Sequence, residues 1–220
     1  MVRYEGREVT GMRVRISRGG MILVTGAAVL GIAEVWHEGW DLGAVWAKSL
    51  PWLIVAAAAL VHELGHMAVA RCAGVGIRGM KLDLFGARLE LGGLLSYGRE
   101  FWIAASGPLM NFLCVAMLYP MGALREDEGV ELFVGASLVL GCVNLLPVWT
   151  LDGGRMLRSA VAFLAGDSAA EGVLRWTTGL CLGLLWLLAA YALLRRGELL
   201  SVFAFSLCLL FRTMGGGEHS

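Results

Sequence analysis

The residues best suited to carry out chemistry are His62, Glu63 and His66, which lie in the sequence HELGH at 62–66. On a helix, two histidines four residues apart are separated by about 40° around the axis and about 6 Å along it, so both rings can bind one metal ion. Glu63 lies about 100° around the axis from His62, which suits its carboxylate to take a proton from water that the metal activates. The pattern predicts a zinc hydrolase site with two histidine ligands and a glutamate general base.

A catalytic zinc site usually has three protein ligands and a water, so two histidines leave the site incomplete. Asp152 is the candidate for the third ligand, because it lies in the sequence NLLPVWTLDGG at 144–154. Pro147 breaks a helix there, and the glycines permit an unusual backbone that could bring a carboxylate to membrane depth. The alternative is that Asp152 only caps a helix.

The elements that position these residues are unusually apolar. Of the 220 residues, 58% are hydrophobic and 16% are charged, and the mean hydropathy is +0.71. A soluble domain has about 45–50% apolar and about 25% charged residues, so the composition predicts a membrane protein. The 18 basic residues balance the 18 acidic ones, which leaves no basic footprint for nucleic acid.

Long uncharged runs predict transmembrane helices, because about 20 helical residues cross the roughly 30 Å hydrocarbon core of a membrane. Three of them are long, one contains HELGH, and two are short enough to require extension or tilt. In chain order they are residues 21–33, 51–70, 101–124, 132–151, 176–194 and 199–211. We expect an all-α polytopic membrane protein with about six transmembrane helices. Inserting an ionisable group at the centre of a span costs about 2.5–3.5 kcal/mol. The three such groups in HELGH therefore favour a metal site over a chance match to the motif.

Residues 80–91, between the second and third predicted spans, alternate between apolar and charged residues around Phe85, Gly86 and Ala87. This alternation predicts a small β-hairpin with a glycine-containing turn. A sheet edge cannot face lipid, so it must lie at the membrane surface or line a polar cavity, where it could pair with an extended peptide. A plain cytoplasmic hairpin is the other open interpretation.

The basic residues indicate an orientation, because they concentrate in short cytoplasmic loops. If the N-terminus is inside, all but four of the 18 basic residues fall in inner segments, the exceptions being Lys48, Arg125, Arg195 and Arg196. We therefore expect both termini to be cytoplasmic and the candidate site to lie toward the cytoplasmic side. An alternative for the N-terminal arginines and the following apolar run is a signal peptide.

Three motifs in this order resemble the site-2 protease family of intramembrane zinc metalloproteases, peptidase family M50. They are HELGH at 62–66, GPLMN at 107–111 and NLLPVWTLDGG at 144–154. The pattern looks most like the stage IV sporulation protease subgroup. The resemblance implies one zinc ion on His62, His66 and Asp152, with Glu63 as general base and acid, and hydrolysis of peptide bonds within or beside a membrane segment.

By the same resemblance, Asn144 and its loop help to hold the substrate strand. Asn111, inside a predicted span, could hydrogen-bond a site residue or the substrate, or could join two helices. We expect a single membrane-embedded protease domain over residues 1–220, with the catalytic core at about 51–157. The sequence shows no PDZ insertion and leaves no room for a C-terminal nucleotide-sensing domain.

The partners expected from the resemblance are a membrane-associated protein substrate, such as a pro-sigma or anti-sigma factor, and a membrane regulatory partner, in a bacterial cell membrane. Two other functions compete. A metal transporter would place ligands along several helices and often show an internal repeat, neither of which the sequence shows. A catalytically idle membrane scaffold would have no need of Glu63, because a structural zinc site requires no base.

Overall fold

The computed structural model describes residues 13–16, 42–83, 86–93, 95–119 and 127–196. Most of these residues are helical, as the sequence predicts. The helices are α1 (Leu42–Cys72), α2 (Tyr97–Leu118), α3 (Glu128–Asn144), α4 (Asp152–Ala165) and α5 (Asp167–Arg196), and the strands are β1 (Arg13–Ile16), β2 (Ile77–Asp83) and β3 (Gly86–Leu91). The spans predicted at 21–33 and 199–211 lie outside the described residues.

The chain divides into two compact units. The first unit is Met1–Leu95 with Met110–Leu138, and it holds α1 and the strands. The second unit is Ser96–Leu109 with Val139–Ser220, and it holds α4 and α5. HELGH therefore belongs to the first unit, and the LDGG sequence that contains Asp152 belongs to the second.

Two of the described helices are long and apolar enough to cross a membrane. They are Ser49–Cys72, within α1, and Tyr97–Leu118, which is α2, and each has a mean hydropathy of 1.7. Both helices expose large apolar side chains, including Trp52 and Leu60 on α1 and Trp102 on α2. Apolar surface that remains uncovered on a long helix is typical of a protein whose solvent is lipid.

Helix α1 contains the predicted span 51–70 and ends in a tight turn. Gly74 has φ +70°, and its N–H donates to the carbonyl oxygen of Arg71 at 3.0 Å. The N–H of Val75 donates to the carbonyl oxygen of Ala70 at 2.9 Å, so the last carbonyls of the helix are partly satisfied. The chain can therefore leave α1 and enter β2 within a few residues.

The predicted hairpin is present, and it is part of a larger sheet. Strands β2 and β3 pair in antiparallel register, with Lys81 opposite Arg88 and Leu82 opposite Ala87. Strand β1 adds in parallel to the other side of β2, giving the order β1-β2-β3. Sequence analysis missed β1, because four residues carry too little alternation to identify a strand. Strands β2 and β3 both contact α1, which attaches the sheet to the HELGH helix.

In the second unit, α4 and α5 form a helical hairpin joined by Gly166, whose φ is +86°. The Tyr97 hydroxyl donates to Asp167 Oδ2 at 2.8 Å, and Arg158 approaches Asp167 Oδ1 at 3.4 Å and Glu100 Oε2 at 3.8 Å. These contacts tie the first turn of α2 to the α4–α5 hairpin. Helix α4 was not predicted, because its arginines exclude it from the apolar runs.

The end of α1 provides a test of the fold. We predict that Gly74→Ala lowers the free energy of unfolding by about 1–2 kcal/mol, because a residue with a Cβ is disfavoured at positive φ. Thermal unfolding in mild detergent measures the change. Gly98→Ala is the matched control, since Gly98 lies in the first turn of α2 with open space around its Cβ position and no positive φ. Equal destabilisation by both substitutions would contradict the assignment of the turn.

Candidate metal centre

The two histidines of HELGH lie side by side on α1. His62 is 4% exposed and His66 is 5% exposed, and their Nε2 atoms are 3.2 Å apart. The rings are nearly perpendicular, with an interplanar angle of 84°. Two imidazole nitrogens bound to one tetrahedral zinc at about 2.0–2.1 Å are about 3.3 Å from each other. The pair is therefore already spaced as two ligands of a single ion would be.

The buried face of α1 explains why polar residues are tolerated in a helix that is long and apolar enough to cross a membrane. Ala58, His62, His66 and Ala70 recur every fourth residue, and all four are buried. Leu64, on the other side of the helix, is exposed. The small alanines above and below the histidines allow close packing of this face, and the histidines are kept away from hydrocarbon.

Glu63 is the residue of HELGH that does not share this fully buried face. It follows His62 directly on α1 and is half-buried. Its position about 100° around the helix axis from His62 leaves its carboxylate beside the histidine pair rather than in line with it. A base in this place can exchange protons with water while both histidines bind a metal.

Asp152 is the first residue of α4 and is 8% exposed. The cap position before it belongs to Leu151, which has an extended backbone and no side-chain capping hydrogen bond. Asp152 is therefore not the N-cap residue, although a carboxylate in the first turn is favoured by the helix dipole. Arg155 Nη1 lies 3.6 Å from Asp152 Oδ1, which adds a positive charge near this carboxylate.

The loop before α4 is folded tightly over the first turn of that helix. The chain turns at Pro147, and a hydrogen bond closes this turn: the N–H of Val148 donates to the carbonyl oxygen of Leu146 at 2.7 Å. A Cβ on Gly153 would overlap the backbone carbonyl of Leu145, and one on Gly154 would overlap that of Val148. Both glycines are therefore required for the loop backbone to approach α4 this closely.

Thr178 on α5 is a residue that sequence analysis missed. It is buried, and its hydroxyl accepts a hydrogen bond of 3.1 Å from the backbone N–H of Trp149. This bond fixes the middle of the loop to α5 and pairs the backbone donor of Trp149. A threonine within an otherwise apolar predicted span is the signal that could have revealed it.

The two asparagines proposed to bind substrate have different surroundings. Asn144 Nδ2 donates to the carbonyl oxygen of Leu140 at 3.0 Å, so it satisfies one of the last carbonyls of α3. Asn111 is 0% exposed, and neither of its amide atoms has a hydrogen-bond partner within the part of the chain that the structure describes. No partner for Asn111 on a neighbouring helix is therefore found among these residues.

The glycines of the loop provide a second test. We predict that Gly154→Ala displaces the loop and lowers the amount of metal retained by the purified protein several-fold, because the new methyl group meets backbone that has no rotamer to change. Metal content is measured by atomic emission. Gly179→Ala is the control, since the space around its Cβ position is open. Full metal retention in Gly154→Ala would mean that the loop does not position a ligand.

Comparisons with known proteins give a consistent result. The sequence model of "Peptidase family M50" matches residues 126–188. The Rip3 protein of Mycobacterium tuberculosis is 35% identical over 146 residues, covering 61% of this chain and 35% of that protein. Stage IV sporulation protein FB of Bacillus subtilis is 35% identical over 103 residues, covering 44% of this chain and 35% of that protein. The chain thus spans about a third of the length of these curated relatives.

Two further matches come from Methanocaldococcus jannaschii. The zinc metalloprotease MJ0392 of Methanocaldococcus jannaschii is 32% identical over 108 residues, covering 47% of this chain and 32% of that protein. The solved structure titled "Site-2 Protease from Methanocaldococcus jannaschii" superposes with a TM-score of 0.65 and 20% sequence identity, covering 93% of this chain and 90% of that one. At this identity the superposition shows a shared fold.

Proposed function

We propose that the chain is a member of the site-2 protease family, peptidase family M50, and an intramembrane zinc metalloprotease that hydrolyses peptide bonds of membrane-associated proteins. The observation that carries the proposal is the buried histidine pair on α1, spaced for one zinc ion with a glutamate beside it. Ionisable groups within a span carry an insertion cost, so a buried pair with this spacing favours a functional site.

We propose His62, His66 and Asp152 as the zinc ligands. All three residues are buried. Two imidazoles and one carboxylate form a donor set typical of catalytic zinc, with the fourth position left for water or substrate. The tightly folded loop around Gly153 and Gly154 supports the proposal, because it holds Asp152 on rigid backbone.

Zinc, when bound, supplies a Lewis acid that lowers the pKa of water toward about 7 and polarises a carbonyl oxygen. The chain itself supplies the proton transfers. The Glu63 carboxylate accepts the proton of the attacking water and then delivers it to the nitrogen of the leaving amine. Burial of both histidines excludes bulk water from the ligand side of the site, which strengthens the electrostatic interactions there.

The substrate must present an extended segment, because a helix hides its carbonyl groups in its own hydrogen bonds. We propose that the substrate unwinds locally and that its extended segment adds as a strand to the sheet. The contact between the sheet and α1 supports this proposal, since a strand on this sheet would enter next to the helix that carries HELGH. Asn111 and Asn144 are proposed as further substrate contacts.

For the arrangement in the membrane, we propose six transmembrane helices, cytoplasmic termini and a site toward the cytoplasmic side. The two described helices that fit a membrane by length and hydropathy support it, as does the bias of basic residues toward one side. We further propose one protease domain over residues 1–220, with a core at 51–157. A pro-sigma or anti-sigma factor is the candidate substrate that the resemblance to the stage IV sporulation protease subgroup implies.

The general base can be tested with Glu63→Gln in the purified, reconstituted protein. We expect zinc to be retained and cleavage of a membrane-anchored substrate to fall at least about a hundredfold, because the amide cannot accept the proton. Glu131→Gln, an exposed position on α3, is the control. Cleavage by Glu63→Gln at the wild-type rate would exclude the assignment, and zinc flux into vesicles without any cleavage would indicate a transporter.

The third ligand can be tested with Asp152→Asn, which keeps the shape of the side chain and removes its charge. We expect zinc affinity to fall by about 10- to 100-fold or more, because a neutral amide is a much weaker zinc ligand than a carboxylate. Competition with a coloured chelator measures the affinity. Glu171→Gln, exposed on α5, should bind zinc as the wild type does. Unchanged affinity in Asp152→Asn would remove this residue from the ligand set.

A further inference from the structure

Helix α4 carries two arginines that are alike in exposure but differ in what they contact. The side chains of Arg155 and Arg158 are 32% and 33% exposed. Arg158 approaches Asp167 Oδ1 at 3.4 Å and Glu100 Oε2 at 3.8 Å, so it joins α4 to α2 and to the start of α5. Arg155 approaches Asp152 Oδ1 at 3.6 Å. One arginine therefore contacts neighbouring helices, and the other contacts the proposed third zinc ligand.

The backbone at Asp152 is held from two directions. A Cβ on Gly153 would overlap the backbone carbonyl of Leu145, so the loop packs directly on the first turn of α4. The N–H of Trp149 donates to the Thr178 hydroxyl, which ties the same loop to α5. These contacts fix the backbone of Asp152, but its side-chain torsions still decide where the carboxylate oxygens point. A preorganised ligand therefore needs a further group that holds the carboxylate itself.

Arg155 is placed to hold this carboxylate. Residues three apart on a helix lie about 60° apart around the axis and are neighbours on its surface. The guanidinium always carries a positive charge and presents its N–H donors in a rigid plane. Because a carboxylate has two oxygens, an arginine on one oxygen and a metal ion on the other are compatible. The Asp152 side chain is only 11% exposed, which distinguishes this pair from a salt bridge between two solvated side chains.

On the premise of the proposed ligand set, in which Asp152 binds zinc, we propose that Arg155 is a positioning residue for the metal site. Its guanidinium restricts the Asp152 carboxylate to the orientation in which it binds zinc, and Arg155 itself does not bind the metal. Residues that hold a metal ligand in place commonly contribute about 10- to 100-fold in metal affinity or activity. Arg158 does not have this role, because its contacts are with Glu100 and Asp167.

The charge of Arg155 and its contact with Asp152 act on zinc affinity in opposite directions. A cation near the site repels Zn²⁺, so loss of the charge alone would tighten zinc binding. At a position that is a third exposed, solvent screens this repulsion to roughly a fivefold effect at most. Loss of the carboxylate orientation is the larger effect. A fall in zinc affinity after removal of Arg155 therefore reports positioning, and a rise reports charge alone.

The test measures the zinc affinity of the purified full chain in detergent by competition with a coloured chelator. In Arg155→Gln we expect the affinity to fall about tenfold, because the neutral side chain no longer attracts the carboxylate. Arg155→Lys keeps the charge and should recover most of the loss. Arg158→Gln is the matched control. It removes an arginine of nearly equal exposure from the same helix and breaks two ion pairs, yet it should keep the wild-type zinc affinity.

Cobalt in place of zinc gives a second measurement, which a change in global stability does not move. The visible absorption bands of protein-bound Co²⁺ report the geometry of its ligands. At saturating Co²⁺ we expect these bands to shift in Arg155→Gln and to keep their wild-type form in Arg158→Gln. Unchanged or tighter zinc binding by Arg155→Gln would overturn the inference. An equal loss of zinc affinity in Arg158→Gln would overturn it as well.

A double substitution separates the inference from the proposed ligand set. If Arg155 acts through Asp152, then Arg155→Gln should not lower the zinc affinity further in Asp152→Asn protein. Additive losses in the double variant would overturn the positioning role. A loss in Asp152→Asn with wild-type affinity in Arg155→Gln would overturn that role and leave the proposed ligand intact. Wild-type affinity in Asp152→Asn would contradict the ligand and the inference together.

Discussion

The rest of the structure depends on the cost of placing ionisable side chains in a helix that is long and apolar enough to cross a membrane. Each such group costs about 2.5–3.5 kcal/mol at the centre of a span, so the three in HELGH are tolerated only with compensation. The structure reduces this cost by placing both histidines on the buried face of α1, between two alanines that allow close packing. We attribute the remaining compensation to a bound metal ion, because the two rings are spaced as ligands of one ion would be.

A second constraint acts on the backbone around Asp152. The buried N–H and C=O groups of this loop must find hydrogen-bond partners within the protein. The turn at Pro147, the bond from the Trp149 N–H to Thr178 and the close approach permitted by Gly153 and Gly154 all meet this requirement. The same features make the loop rigid, and rigidity is what a metal ligand needs from its support.

Sequence was sufficient for the parts of the fold that depend on local patterns. Long apolar runs identified α1, α2, α3 and most of α5, and alternation identified the hairpin of β2 and β3, because each signal is contained within a few turns of chain. Strand β1 and helix α4 were missed. A four-residue strand is defined by its partner β2, which is distant in sequence. Helix α4 contains two arginines among its apolar residues, so it does not stand out as an uncharged run.

The candidate site shows the same division. Residue type and spacing identified His62, Glu63 and His66, because a helix fixes their geometry. The role of Thr178 is not fixed by residue type and spacing, since its hydrogen bond joins it to a residue 29 positions away, and a threonine in an apolar run was its one sequence signal. The most direct test of the central claim is the zinc X-ray absorption spectrum of the purified, active protein. Two imidazole nitrogens and otherwise oxygen ligands, at about 2.0–2.2 Å, are the predicted result. Sulfur ligands at about 2.3 Å, or six oxygen ligands without imidazole, would contradict it.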